Sequence, residues 1–319
     1  MTPIAIGIEI GGTKLQAGVG TADGQRRGLA RRIVDASRGA AGIRESIPDL
    51  VREALAQAGA AEADVAGVGI GFGGPVDSRR GVTLLSHQIE GWRDFPLGAW
   101  AEARWKRPVS VQNDASLAGL AEATFGAGRG RRRIFYVTLG SGVGGGLITD
   151  GIIEEGQGLG AAEIGHTWVP DPATGRAVHL EDICSGWSIA RRAQALVARG
   201  TRTSLRGRGD SPGAITAKTV YAAAEAGDEP ARVLLDETAR TLALGLCNVA
   251  ALLHPERFVL GGGVSLMGPL LWDPLREHVR THTFPPFSST FDLQPASLGE
   301  EVVVAGGILL GHRAAMGGR

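Results

Sequence analysis

Three glycine-rich turns, one Asn-Asp pair and one crowded polar loop carry the residues that could do chemistry in this sequence. GIEIGGTK at 7–14, LGSGVGGG at 139–146 and LGGGVS at 260–265 each follow an apolar run of strand length. Successive backbone N–H groups in such turns can surround phosphate oxygens with no side chain in the way. One turn alone is weak evidence, whereas three in one chain are far more specific. The first approaches a P-loop, because Gly7 and Gly12 have the required spacing. Thr13 and Lys14 stand in reversed order, however, and LQAGVG continues as a strand where a P-loop needs a helix, so that motif is rejected. Asn113 and Asp114 end the run PVSVQND at 108–114. A carboxylate at a strand end can take a proton from a bound hydroxyl, or simply cap the helix that follows. EIGHTWVPDPATGRAVHLEDIC, residues 163–184, crowds four acids, two histidines and a cysteine into one stretch. Its composition alone fits a metal site, a substrate site or an ordinary polar loop.

These residues need elements to hold them. IAIGIEI and LQAGVG read as two strands of a hairpin around GGTK. Ile43, Ile47, Leu50, Val51 and Leu55 follow helical spacing despite Pro48, and VAGVGIGF at 65–72 reads as a buried strand running into GGPVD. After the helix ASLAGLAEATFG, the run RIFYVTLGSGVGGGLITDG repeats strand, glycine turn and strand. The shared plan of the two hairpins points to a duplicated α/β architecture, although chance resemblance accounts for this pair equally well. SGWSIARRAQALVARG and AITAKTVYAAAEAG read as helices separated by an exposed loop, TRTSLRGRGDSPGA. A long apolar helix stops at Pro255 and leads into RFVLGGG, and VVVAGGILLGHRAAMG reads as a strand and a final helix. The expected division is a smaller N-terminal α/β domain over 1–114, onto which a C-terminal helix at about 305–319 packs back, and a larger α/β domain over 115–304.

Bulk properties narrow the function classes. Lysine plus arginine equals aspartate plus glutamate at 33 each, so no overall basic field exists to attract nucleic acid or anionic membrane. The local run RGRRR at 129–133 reads as a solvated turn leading into a strand rather than as a phosphate-binding patch. Two cysteines are too few for a disulfide framework, the N-terminus lacks signal-peptide features, and no apolar run approaches the roughly 18 to 20 residues of a membrane span. A cytoplasmic protein with no membrane partner is expected. Fifty glycines, clustered rather than periodic, argue for several tight turns around something bulky or anionic.

Taken together, the three turns, GGPVD at 73–77, GW at 91–92, QNDASLAGLAE at 112–122, EIGH at 163–166, LED at 180–182 and HPERFVLGGGVS at 254–265 resemble the ROK family of sugar kinases and repressors. That resemblance implies a duplicated actin-like ATPase (ribonuclease H-like) fold with two domains flanking a cleft. It further implies ATP-dependent phosphorylation of a hexose or N-acetylhexosamine, at the 6-OH of a glucose-like sugar. Gly11, Gly12, Thr13 and Lys14 with Gly140, Ser141 and Gly142 would hold the phosphates of ATP, and Gly261, Gly262 and Gly263 would lie by the adenosine. Asp114 would be the general base. Asn113, Gly74, Glu163, His166 and Glu181 would bind the sugar. Glu9 stands where the family usually has aspartate near the metal and phosphates, a candidate contact for the Mg²⁺ expected with ATP. Family members also assemble as dimers or tetramers, so a homodimer or homotetramer is expected.

The resemblance divides the polar loop into two functions. Relatives carry a zinc knuckle here, the histidine of EIGH plus three cysteines in a CxCGxxGC pattern. This chain has Pro172, Thr174 and His179 at the cysteine positions, with Cys184 outside the register, so no zinc site is expected. The acids remain. In the PNLxGW pattern this chain reads HQIEGW, with His87 and Gln88 in place of Pro and Asn. Two other readings compete with a kinase: a sugar-binding protein without catalysis, suggested by Glu9 and the missing cysteines, and a sugar-responsive regulator. Repressors of the family place a DNA-binding helix-turn-helix before this fold, whereas this chain enters its first strand at about residue 4, so direct DNA binding is not expected.

Overall fold

The computed structural model describes residues 2–86, 88–206 and 214–318. In chain order, strands β1 (Ile4–Ile10), β2 (Lys14–Gly20) and β3 (Arg26–Ile33) lead into helix α1 (Gly39–Gln57). Then follow β4 (Val65–Phe72), the short β5 (Val76–Asp77) and β6 (Val82–Thr83), α2 (Leu97–Trp105), β7 (Val109–Asn113) and α3 (Asp114–Phe125). Next come β8 (Arg133–Leu139), β9 (Val143–Thr149), β10 (Ile152–Ile153), β11 (Trp168–Pro170) and β12 (Ala177–His179). Helices α4 (Glu181–Cys184), α5 (Gly186–Ala198), α6 (Ala217–Glu225) and α7 (Glu229–Leu253) precede β13 (Arg257–Gly261), α8 (Pro269–His282), β14 (Asp292–Pro295) and α9 (Val302–Ala315). Half of the loop expected over 201–214, residues 207–213, lies outside those described.

The two five-stranded sheets have the orders β3-β2-β1-β4-β7 and β10-β9-β8-β13-β14. Both orders follow one plan, three consecutive strands and then two that pair in parallel after a crossover. The fold is therefore the duplicated α/β architecture of the actin-like ATPases. The chain forms two compact units, one of residues 1–132, 146–161 and 297–319, the other of 133–145 and 162–296. The first unit reaches past residue 114 because α3 packs against α9, and Gly146 lies against the backbone of Ser116.

In the first unit, β1 and β4 are buried on both faces but alternate large with small residues. Ile4, Ile6, Ile8 and Ile10, with Val68, Ile70 and Phe72, form the face packed on Ile43, Ile47, Leu50 and Val51 of α1. Pro48 withdraws one N–H from that helix, and the buried apolar stripe holds the helix together around it. The other face carries Gly7, Gly67 and Gly69. A Cβ there would fall 2.3 Å from Val304 O, 2.2 Å from Gly311 O and 2.1 Å from Gly307 O. Helix α9 thus rests on the sheet backbone to backbone.

This contact also corrects the reading of VVVAGG as a strand, since Val302–Val304 already belong to α9. β-Branched residues favour strands only where a pleated surface awaits them, and here helical spacing turns Val304 and Ile308 onto Ala5. At the other end of α3, Glu122 is fully buried, and its carboxylate accepts hydrogen bonds from the N–H groups of Ala127 (2.7 Å), Ser297 (2.8 Å) and Leu298 (2.9 Å). That ties the chain before α9 to α3.

Gly69→Ala should lower the stability of the protein by about 3 kcal/mol in urea unfolding, since a methyl at 2.1 Å from Gly307 O has to push α9 off the sheet. A change below about 0.5 kcal/mol, the range of an ordinary surface substitution, would show that the helix does not bear on the strand.

Candidate functional site

In the first unit, the GGTK turn joins β1 to β2 in register, so that Glu9 faces Gln16 across the ladder. The period of two places Glu9, Lys14 and Gln16 on one face of the sheet. Glu9 is buried and both its oxygens are engaged, one by Lys14 Nζ at 3.2 Å and the other by Gln16 Nε2 at 2.7 Å. Burial raises its pKa above the ordinary 4.5. Lys14 and Gln16 oppose that shift, and Glu300 adds to it. Lys14 Nζ and Gln16 Nε2 also donate to Glu300 O, at 3.0 and 3.1 Å, which anchors both side chains to the segment before α9. Lys14 stays about one-third exposed beside the turn, a cation held ready for an anion.

The GGPVD segment is drawn against the same turn, Gly73 N donating to Ile10 O at 2.8 Å. A Cβ on Gly12 would fall 1.5 Å from Gln88 Oε1, so the amide of Gln88 lies directly on the turn. His87 lies outside the described residues. Asn113 and Asp114 arrive at the junction of β7 and α3, next to this segment. The helix cap is Asn113 rather than Asp114: Asn113 Oδ1 accepts from the N–H groups of Ala115 (2.9 Å) and Ser116 (3.2 Å). With the oxygen committed to the cap and Nδ2 donating to Gly74 O at 3.2 Å, the Asn113 amide keeps one N–H for a ligand. Asp114 Oδ1 accepts from Ala115 N at 2.8 Å, and a Cβ on Gly73 would lie 3.4 Å from Asp114 Oδ2. The carboxylate is oriented by the helix start and turned to the glycine segment.

In the second unit, turns two and three come together. Gly262, at φ +83°, sits against Leu139, the residue before the second turn. That turn closes on itself through Gly140 N donating to Gly142 O at 2.9 Å. Beside both turns opens a cavity of about 1010 Å³, lined in part by Gly140, Ser141, Trp187, Lys218, Tyr221 and Gly263. Its walls are mostly apolar and include the cations Arg191 and Lys218, a combination that suits a flat heteroaromatic ring carrying phosphates. Sequence reasoning missed Lys218 and Tyr221 because they sit on α6, whose apolar spacing reads as ordinary core packing. Ser141 is exposed, and Gly263 has open space around it.

The EIGH segment and Glu181 also meet the second turn. A Cβ on Gly165 would fall 2.1 Å from Val143 O, and Val143 N donates to Glu181 Oε2 at 2.8 Å. Glu163 is exposed at its rim, yet protein crowds its carboxyl. Burial raises its pKa above the ordinary 4.5, His166 pulls it down, and Glu181 pushes it up. His166 and His179 meet edge to face with ring centroids 5.4 Å apart. The three predicted polar residues of this loop, Glu163, His166 and Glu181, therefore belong to one electrostatic cluster.

The family model described as ROK family matches residues 5–314. A glucokinase of Halalkalibacterium halodurans is 34% identical over 308 residues, 95% of this chain and 93% of that one. A ROK glucokinase of Streptomyces griseus, solved with glucose and AMPPNP, superposes with a TM-score of 0.81 at 33% identity, covering 97% of this chain and 99% of that one. A ROK hexokinase of Thermus thermophilus gives 0.82 at 28% identity, covering 99% and 100%. Because the family model spans nearly the whole chain and the glucokinase relative is 34% identical over 95% of it, the chain belongs to the ROK family.

Proposed function

We propose that this chain, an ATP-dependent sugar kinase, phosphorylates the 6-OH of glucose or a glucose-like hexose with Asp114 as general base. The observation that carries the reading is Asp114 at the β7–α3 junction, oriented by Ala115 N and turned to the Gly73–Gly74 segment. In the reaction the sugar hydroxyl passes its proton to the Asp114 carboxylate as its oxygen bonds to the γ-phosphorus. The bond from that phosphorus to the β,γ-bridging oxygen breaks, and ADP leaves. One carboxylate suffices, because phosphoryl transfer depends mainly on positioning and charge stabilisation. The N–H groups of Gly11, Gly12, Gly140, Ser141 and Gly142, with Lys14, supply phosphate contacts. The cavity beside Gly261, Gly262 and Gly263 takes the adenosine, with Trp187 and Tyr221 as faces for the base.

Asn113, through its remaining N–H, and Gly74 contact the sugar, as do Glu163, His166 and Glu181. Carboxylates suit adjacent sugar hydroxyls because they accept two hydrogen bonds in one plane. Mg²⁺ enters with ATP as part of the substrate, held by phosphate oxygens and water. Glu9, with both oxygens engaged, serves as the counterion that keeps Lys14 in place. Homologous glucokinases over nearly the whole chain favour a kinase over a sugar-responsive regulator.

A hexose and amino-sugar panel with ATP and Mg²⁺ should show ADP formation stimulated most by a glucose-like sugar. Asp114→Asn should lower kcat by about a thousandfold with KM values within a few-fold. No stimulation by any sugar, or a variant within tenfold of the parent, would remove the reading. Glu163 gives a pH signature. Its raised pKa means that protonation begins above 4.5, and a neutral carboxyl is a weaker acceptor, so sugar KM should climb as pH falls towards that range. Glu163→Gln should raise KM at neutral pH and flatten the climb.

Lys14→Met should destabilise the fold by about 1 to 2 kcal/mol at pH 8, a figure below that for a fully buried pair because Lys14 is partly exposed. The deficit should shrink towards pH 5. An acid whose folded pKa is raised contributes stability below its unfolded pKa and loses it as pH rises through the folded pKa. Equal deficits at both pH values would contradict the pairing.

A further inference from the structure

The segment between His166 and Glu181 keeps a donor, His179, at only one of the three cysteine positions of the zinc knuckle that the family resemblance implies. Pro172 and Thr174 offer no metal-binding side chain. Cys184 is buried, its thiol donates to Thr238 O at 3.6 Å, and burial pushes its pKa up to about 12, so it supplies no thiolate. Among the described residues no group of three or more His, Cys, Asp and Glu side chains is arranged to hold a metal ion. The residues present do not fit zinc.

What the segment has instead is a closed β-hairpin. β11 and β12 pair antiparallel, with Trp168 opposite His179, Val169 opposite Val178 and Pro170 opposite Ala177. The turn is organised by Asp171. Its N–H donates to Arg176 O at 2.8 Å, its carbonyl accepts from Gly175 N at 2.8 Å, and its Oδ1 accepts from Ala173 N at 2.7 Å and Thr174 N at 3.1 Å. Gly175 takes the left-handed conformation, φ +71°, that lets the chain return. At the open end Leu180 N donates to Thr167 O at 2.9 Å, and Asp182 Oδ2 accepts from His179 N at 3.3 Å.

The hairpin is also pinned from inside and outside. Val169 and Leu180 are buried, and Leu180 packs on Gly245 of α7. Trp168 covers His179 from the solvent side, with ring centroids 4.4 Å apart. One strand begins two residues after His166 and the other ends two residues before Glu181. The ladder therefore sets the separation of those two side chains, the task a metal would otherwise perform.

We infer that residues 167–182 are a metal-independent hairpin replacing the zinc knuckle, with Asp171 the positioning residue that holds His166 and Glu181 in register. The inference rests on the reading of Glu163, His166 and Glu181 as sugar ligands. Asp171 touches no reacting atom. It acts through the turn.

The test uses the full chain, with one readout independent of turnover. Purified protein should hold far less than one zinc per chain by elemental analysis, and EDTA followed by added zinc should leave its melting temperature unchanged. Stoichiometric zinc, or a melting temperature lowered by EDTA and restored by zinc, overturns the inference whether or not any sugar is phosphorylated. Asp171→Ala should raise sugar KM about tenfold, the scale of a lost hydrogen bond, with kcat and the ATP KM little changed. Asp171→Asn, which keeps an acceptor for the turn, should recover most of that loss. An Asp171→Ala enzyme with unchanged sugar KM, or one that Asn does not rescue, overturns the positioning role. If the parent phosphorylates no sugar, the kinase reading has failed, while the zinc and melting results still decide whether the hairpin is metal-independent.

Discussion

The close approach of α9 to β1 and β4 is the contact on which the first unit depends. Carbonyls of Val304, Gly307 and Gly311 occupy space that any side chain at Gly7, Gly69 or Gly67 would need. Glycine pairs of this kind contribute little apolar area. Their value is geometric, because a helix seated on backbone has one depth and no side-chain rotamers through which to shift. The large residues of the same strands then face α1, where apolar burial supplies the stability.

From that seat the chemistry follows by short connections. The segment before α9 gives Glu300 O to Lys14 and Gln16, and gives the Ser297 and Leu298 N–H groups to Glu122. The first links it to the GGTK turn. The second links it to α3, whose first residue is Asp114. The GGTK turn and the proposed base are thus both referred to one helix position. In the second unit the same economy appears at Gly262, whose contact with Leu139 holds two glycine turns edge to edge without a side chain between them.

Much of this was legible in the sequence, and the unread parts have physical reasons. The glycine turns and the Asn-Asp pair are legible because each closes an apolar run and together they stand in an order that resembles one family. Strand β3 is hard to read in the sequence because RRGLARRI is an edge strand whose outward arginines pair with residues far along the chain, Arg31 with Glu300 and Glu301. β11 and β12, three residues each, are too short for a period of two to register, and their turn depends on Asp171 side-chain hydrogen bonds. Val302–Val304 look like a strand by local preference, because the deciding contact, with β1, lies about 300 residues away in sequence. The helix cap fell to Asn113 because β7 extends through that residue and leaves Asp114 as the first of α3.

The most direct test of that placement is the position of the phosphate on the product. Incubation with ATP, Mg²⁺ and carbon-13-labelled glucose, followed by phosphorus and carbon NMR, should show phosphorus coupled to carbon 6, formed one-for-one with ADP. Phosphorus coupled to carbon 1, or ADP matched by free inorganic phosphate, would contradict the account of Asp114 as the base that activates the 6-hydroxyl.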